Sequence, residues 1–294
     1  MDTLNRIERT LDAAVVRGEA APAPPRLARA IRHALFPGGA RVRPMLCLAV
    51  ASACGDDAPA LADASGAAIE LMHCASLVHD DMPCFDDAEE RRGRASVHAA
   101  HGEALALLAG DAMIVMAFEA LSHAATHAGS EAPRRLAGLV GALARATGTP
   151  GGIVAGQGWE SEAEIELAPY HRAKTGALFV AATRMGALAA GADPTPWRAL
   201  GDRLGEAYQV ADDLRDAVLS AEELGKPAGQ DLLHDRPNAV AELGISGTLS
   251  RLETLLGEAV EAIPPCRGAG ALRDLVRLQA RRLTPSSLAP AGVA

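Results

Sequence analysis

Aromatic residues make up only 3% of this 294-residue chain: four Phe, two Tyr and two Trp. Hydrophobic residues nevertheless reach 49%, so the core must be built from Ala, Leu, Val and Ile. β-branched runs are also scarce, while Ala and Leu are strong helix formers, and the composition points to an all-α protein. There is no CxxC pair. The five cysteines, Cys47, Cys54, Cys74, Cys84 and Cys266, are scattered, which speaks against a disulfide framework or a zinc site and for a reducing, cytoplasmic setting. A basic surplus is missing too. The net charge of −9 argues against a general nucleic-acid or anionic-membrane binder.

The first 17 residues mix acids with bases and do not read as a signal peptide. The longest apolar stretch, Ala104 to Ala125, is interrupted by Asp111 and Glu119. It falls short of the roughly 18 uninterrupted residues that a bilayer span asks for, so no stable membrane insertion is expected. No 20–50-residue repeat, βαβ alternation or polar linker divides the chain. One domain is expected over 1–294, with a helix and a Pro-rich break in 1–25 and a frayed tail at 284–294.

Apolar spacing and Gly/Pro stops predict helices over about 2–18, 26–36, 40–54, 63–79, 102–127, 131–147, 150–158, 168–191, 195–219, 248–262 and 269–283. The helix over 63–79 is apolar on most sides and should be buried. It delivers Ser76-Leu-Val-His79-Asp80-Asp81-Met-Pro83-Cys84-Phe-Asp86-Asp87, followed at once by Arg91-Arg92-Gly93. Pro83 should end or bend the helix and swing Asp86 back toward Asp80. A second cluster, Asp212-Asp213-Leu-Arg215-Asp216, places Asp212 and Asp216 one helical turn apart on a helix with apolar neighbours. Carboxylates beside buried positions are costly without a cation. Magnesium takes oxygen ligands and needs only one or two carboxylates per ion. Each cluster alone has a blander reading, a solvated acidic loop for the first and an Asp212–Arg215 ion pair for the second. Two clusters in one apolar helical chain point to several divalent cations and a polyanion. Arg41, Arg43, Arg91, Arg92, Lys174 and Lys226 are candidate anion ligands, Arg as a planar fork and Lys as a point charge. His73, Tyr208 and Gln209 read equally well as packing.

Together these residues resemble the trans-polyprenyl diphosphate synthases over about residues 30–240. Asp80-Asp81-x4-Asp86 and Asp212-Asp213-x-x-Asp216 match that family's two aspartate-rich motifs. Gly38-Gly39-x-Arg41-x-Arg43-Pro44, Arg91-Arg92-Gly93, Gly110-Asp111, Gly156-Gln157, Lys174-Thr175-Gly176 and Gly225-Lys226 fall in the family's order. The variants Gly38-Gly39-Ala40-Arg41, Cys84-Phe85-Asp86-Asp87-Ala88-Glu89 and Gly156-Gln157-Gly158-Trp159-Glu160-Ser161-Glu162 look most similar to the geranylgeranyl diphosphate synthases of purple photosynthetic bacteria. Ala40 and Gln230 stand where lysines are common in the family.

The resemblance implies an isoprenoid-synthase fold, a bundle of about ten or more helices around a deep central cavity, and a homodimer through its central helices. It implies head-to-tail condensation of isopentenyl diphosphate with dimethylallyl, geranyl or farnesyl diphosphate. Asp80, Asp86, Asp212 and Asp216 would hold about three Mg2+ ions, with Mn2+ able to substitute, and Asp81 and Asp213 belong to the same motifs. Arg91, Lys174 and Lys226 would hold the allylic diphosphate, and Arg41, Arg43, His73 and Arg92 isopentenyl diphosphate. Thr175 and Gln209 would stabilise the carbocation. Farnesyl synthases of this type carry a bulky aromatic where Ala75 stands, so Ala75 and Ser76 leave the floor open for a C20 product, with Met113 and Met116 as candidates for the next floor. A C15 synthase, a terpene cyclase or head-to-head synthase, and a non-catalytic modulating subunit are the rival readings.

Overall fold

The computed structural model describes residues 2–218 and 238–283. Its elements run α1 Thr3–Gly18, α2 Pro25–Leu35, α3 Val42–Cys54, α4 Pro59–Asp80, the two-residue strands β1 Glu90–Arg91 and β2 Arg94–Ala95, α5 Val97–His101, α6 Glu103–His127, α7 Ala132–Thr147, α8 Ile153–Trp159 and α9 Leu167–His171. A π-helical turn at Arg172–Gly176 leads into α10 Ala177–Ala189, and a 3-10 turn at Thr195–Trp197 into α11 Arg198–Val218. Then come α12 Ala239–Glu261 and α13 Ala269–Leu283. The fold is all-α, as composition indicated.

Helix α4 is the centre. Pro59 starts it, a position that a missing N–H suits, and fourteen of its 22 residues are buried, with Ala and Gly through its middle. Small side chains let neighbours approach closely, and α3, α6 and α10 pack around it. Gly186 of α10 shows how close: a Cβ there would lie 2.4 Å from the Cys47 carbonyl oxygen of α3. A smaller core, including Ala207, Val210, Ala211, Leu252 and Leu255, joins α11 to α12. Asn238 caps α12 by accepting from the Ala241 amide at 2.8 Å.

Three departures matter. The expected helix over 168–191 is interrupted at Arg172–Gly176 by the π-turn. A β-hairpin and α5 fill the segment after the first acidic cluster, where no element was expected. By length and composition α6 is apolar enough to cross a bilayer, with a mean hydropathy of 1.9 over its best window. Asp111 and Glu119 are too few to exclude that. In the fold, 44% of that window is buried, and α6 packs along α4.

Candidate active site

The end of α4 and the C-terminal half of α11 face each other across a cavity of about 450 Å3. Helix α4 stops at Asp80, and the chain folds back so that the Asp86 amide donates to the Asp80 carbonyl at 2.9 Å and the Ala88 amide to that of Asp81 at 3.1 Å. Asp80 and Asp86 thereby line one wall, and Asp212 and Asp216 of α11 the other. Burial, reinforced by Asp86 and Glu160 and opposed by Lys174, pushes the Asp80 carboxyl up to about 6. A negative wall of this kind favours a cation. The donor set is carboxylate oxygen throughout, which suits magnesium completed by water and phosphate oxygens. Among the described residues no cluster of three ligating side chains forms a ready-made metal cage.

The second aspartate of each cluster does something else. Asp81 is buried, and Arg91 Nε donates to it at 2.9 Å. Asp213 is also buried; it accepts from Gln209 Nε2 at 2.9 Å and from the Ala239 amide of α12 at 2.8 Å. Neither lines the cavity. Read with their motifs as catalytic residues, these two aspartates each hold a neighbour that reaches the cavity: Asp81 holds Arg91, and Asp213 holds Gln209. Arg215 donates to Asp212 at 3.1 Å, and Asp212 still lines the cavity.

The basic residues divide likewise. Arg43 faces the cavity beside His73, its guanidinium 4.7 Å from the Phe179 ring centre. Its Nε is buried and makes no hydrogen bond among the described residues. His73 is held well below its ordinary pKa by burial first, then by Arg43, Arg92, Arg91 and Arg41, so it offers a neutral ring. Arg41 does not join them. Only 2% exposed, it donates to Glu8 Oε1 at 2.7 Å, Glu70 Oε1 at 2.8 Å and the Leu35 carbonyl at 2.7 Å. Its guanidinium is spent inside the fold, which corrects its assignment to isopentenyl diphosphate. Arg92 is exposed, packs over Gly39 and lines a small cleft behind the main cavity. Lys226 lies outside the described residues.

Lys174 and Thr175 stand in the π-turn, a wide turn often found at functional sites. Gly156 of α8 lets it sit close, since a Cβ there would come within 2.4 Å of the Lys174 amide nitrogen. Lys174 pairs with Glu160, which also accepts from the Tyr170 hydroxyl at 2.6 Å and Gln157 Nε2 at 2.9 Å. Thr175 Oγ1 donates to Gln209 Oε1 at 2.7 Å. The sequence reading missed Glu160 and Tyr170; the i, i+3 spacing of Gln157 and Glu160 was the available signal.

A second, mainly apolar cavity of about 340 Å3 adjoins the first, and Ser76, Asp80 and Lys174 line both. Met72 and Ala75 of α4, Ile114 of α6, Thr147 of α7 and Ile153 of α8 form much of its wall. Met113 and Met116 do not line it. Met113 is fully buried in the main core, and Met116 packs beside Gly18 of α1. Of this stretch of α6, Ile114 lines the apolar cavity instead.

A charged chamber opening into an apolar one suits an anionic head with a hydrocarbon tail. A model of the polyprenyl synthetase family matches residues 24–263. The chain belongs to the polyprenyl synthetase family. Among its relatives, the geranylgeranyl diphosphate synthase of Cereibacter sphaeroides is 58% identical over 97% of both chains, and that of Rhodobacter capsulatus 51% over 95% of both. Among solved structures, the geranyltransferase of Legionella pneumophila superimposes with a TM-score of 0.80 at 26% identity, covering 96% of this chain and 94% of that one. The geranyltransferase of Helicobacter pylori, complexed with magnesium and isoprenyl diphosphate, gives 0.79 at 27%, covering 95% and 96%.

Proposed function

We propose that this polyprenyl synthetase is a magnesium-dependent geranylgeranyl diphosphate synthase. It joins isopentenyl diphosphate head-to-tail to dimethylallyl, geranyl or farnesyl diphosphate. The observation that carries this reading is the pair of adjoining cavities with Asp80, Ser76 and Lys174 at their junction. An allylic diphosphate fits with its head among the carboxylates and its tail in the apolar chamber. The C20 names of the two bacterial relatives support the product length.

Asp80, Asp86, Asp212 and Asp216 would hold about three Mg2+ ions, or Mn2+ in their place. The metal supplies neutralisation of the charge that develops on the departing diphosphate. Arg91 and Lys174 orient that diphosphate and add to its stabilisation. Thr175 spends its proton on Gln209, and Gln209 spends an amide hydrogen on Asp213. The Thr175 oxygen is thus left with its lone pairs to face an allylic cation. The apolar chamber keeps water from that cation. Arg43, His73 and Arg92 hold isopentenyl diphosphate without metal, and its double bond attacks C1 of the cation. The proton lost in closing the new double bond passes to the released diphosphate.

A cytoplasmic homodimer is part of this reading. On α6, Leu107, Leu108 and Val115 are 47%, 49% and 66% exposed, an apolar stripe that a second copy would cover. The test incubates the protein with Mg2+, isopentenyl diphosphate and each of the C5, C10 and C15 allylic diphosphates. Dephosphorylated products are then sized by mass spectrometry. A C20 alcohol is expected; a C15 stop overturns the length assignment, and no condensation overturns the activity.

A further inference from the structure

Arg91 and Arg92 are carried on a hairpin too short to hold itself. Its strands have two residues each, with Glu90 opposite Ala95 and Arg91 opposite Arg94. The loop residues Arg92 and Gly93 both have positive φ, 57° and 72°, as a two-residue type I′ turn requires. An isolated two-stranded hairpin is marginal in water, so something outside it must fix the two arginines.

Asp81 holds the Arg91 guanidinium, and two imidazoles hold the backbone that carries both arginines. His98 of α5 reaches the Ala88 carbonyl oxygen with Nε2 at 3.0 Å, and His33 of α2 reaches that of Ala95 at 2.8 Å. A carbonyl oxygen only accepts, so both Nε2 atoms carry the hydrogen. With the hydrogen on His33 Nε2, its Nδ1 is the acceptor for His101 Nε2, 3.1 Å away. The two rings meet edge-on, 4.9 Å between centres. His101 is held below its ordinary pKa by burial, then by His33, Arg29, Arg26 and Arg94. Arg94 ties the hairpin to the end of α2 by donating to the Phe36 carbonyl at 2.7 Å.

We propose that His33, oriented by His101, is a positioning residue: it clamps the Ala95 carbonyl and so sets where Arg91 and Arg92 stand. Neither His33 nor His101 lines the main cavity; His33 shares the small cleft with Arg91 and Arg92. The inference rests on the reading that Arg91 and Arg92 meet diphosphates. It goes beyond that reading in assigning a role to a histidine pair outside both aspartate-rich motifs.

Four variants test it: His33→Leu, His33→Gln, His101→Ala and Arg92→Ala. For each, KM for both substrates, kcat, and hydrogen exchange of the Ser96 amide, which closes the hairpin on the Glu89 carbonyl, would be measured. His33→Leu is expected to raise KM for isopentenyl diphosphate about fivefold, the effect of one lost hydrogen bond. It should also speed exchange at Ser96 while leaving exchange in α4 and α6 unchanged. His33→Gln keeps an N–H at the reach of Nε2 and should restore most of the affinity. His101→Ala should show the same pattern, weaker, and carries the test if His33→Leu does not fold. Unchanged KM and exchange in His33→Leu, or a His33→Gln as damaged as His33→Leu, overturns the proposal. If Arg92→Ala leaves KM unchanged, the assignment of Arg92 to a diphosphate falls instead, and Ser96 exchange alone decides whether the clamp exists.

Discussion

Arg43 brings a guanidinium to the cavity wall with its Nε buried and unpaired among the described residues. A buried N–H without an acceptor is costly, and an anion arriving in the cavity would give this half-buried cation a partner. Replacing Arg43 with Ala should therefore raise KM for isopentenyl diphosphate by about 10- to 100-fold, the loss of a charge-assisted contact, with little loss of stability. Arg41, two residues earlier, predicts the reverse. Its removal strands Glu70, whose side chain is 3% exposed, and breaking a buried pair this way costs about 3–5 kcal/mol. Urea unfolding of Arg41→Ala should show that loss, whereas a KM effect at unchanged stability would return Arg41 to the binding site. The motif made both arginines visible but could not separate them. Their division depends on Arg41 sitting in a left-handed conformation, φ 49°, at the start of α3, which turns its side chain inward. Ala40 offers no cation here, so the proposed isopentenyl diphosphate site rests on Arg43, His73 and Arg92.

At the scale of elements, a smooth 3.6-residue periodicity over 168–191 concealed the π-turn, because one widened turn changes phase without changing composition. The hairpin was equally illegible: strands of two residues are too short for any alternation to register. The fold-back at Pro83 was legible, since proline forbids the helix from continuing. His171 immediately precedes the π-turn, and its burial lowers its pKa to about 4, opposed by Glu206. A folded-state pKa below the unfolded value of about 6.5 means that the unfolded chain binds the proton first. The contribution of this residue is therefore intact above pH 6.5 and is lost as pH falls from 6.5 to 4, by up to about 3 kcal/mol. Chemical denaturation at pH 7 and pH 4.5 should show a smaller acid loss in His171→Gln than in the parent chain. Equal losses would mean that His171 is solvated. The cavity carboxylates come from the end of α4 (Asp80), the loop after it (Asp86) and α11 (Asp212 and Asp216), so Asp80→Ala or Asp212→Ala should lower kcat by several orders of magnitude, with excess Mg2+ rescuing little. Near-parental turnover in both would remove the metal assignment.

The tail chamber exists only at the scale of the whole molecule. Its wall draws Ala75 from α4, Ile114 from α6, Thr147 from α7 and Ile153 from α8, and no spacing along the chain announces that these residues meet. Ala75 was legible because it stands a fixed distance before Asp80 on one helix. Ile114 was not, because choosing it over Met113 or Met116 requires knowing how α6 is rotated against α4. That rotation is set by packing: Met116 is drawn toward Gly18 of α1, which leaves Ile114 facing the chamber. If the chamber measures the product, filling it near the mouth and emptying it near the wall must act in opposite directions. Ala75→Phe should shorten the main product toward C15, since the ring would occupy space that the growing tail needs. Ile114→Ala should lengthen it toward C25, at about 2–4 kcal/mol of stability for the partly buried side chain removed. Mass analysis of products from the two variants and their combination decides the matter. A combination that behaves like Ala75→Phe alone places the ring upstream of Ile114 on one path. If neither single variant alters length, this chamber does not hold the tail, however well its shape fits one.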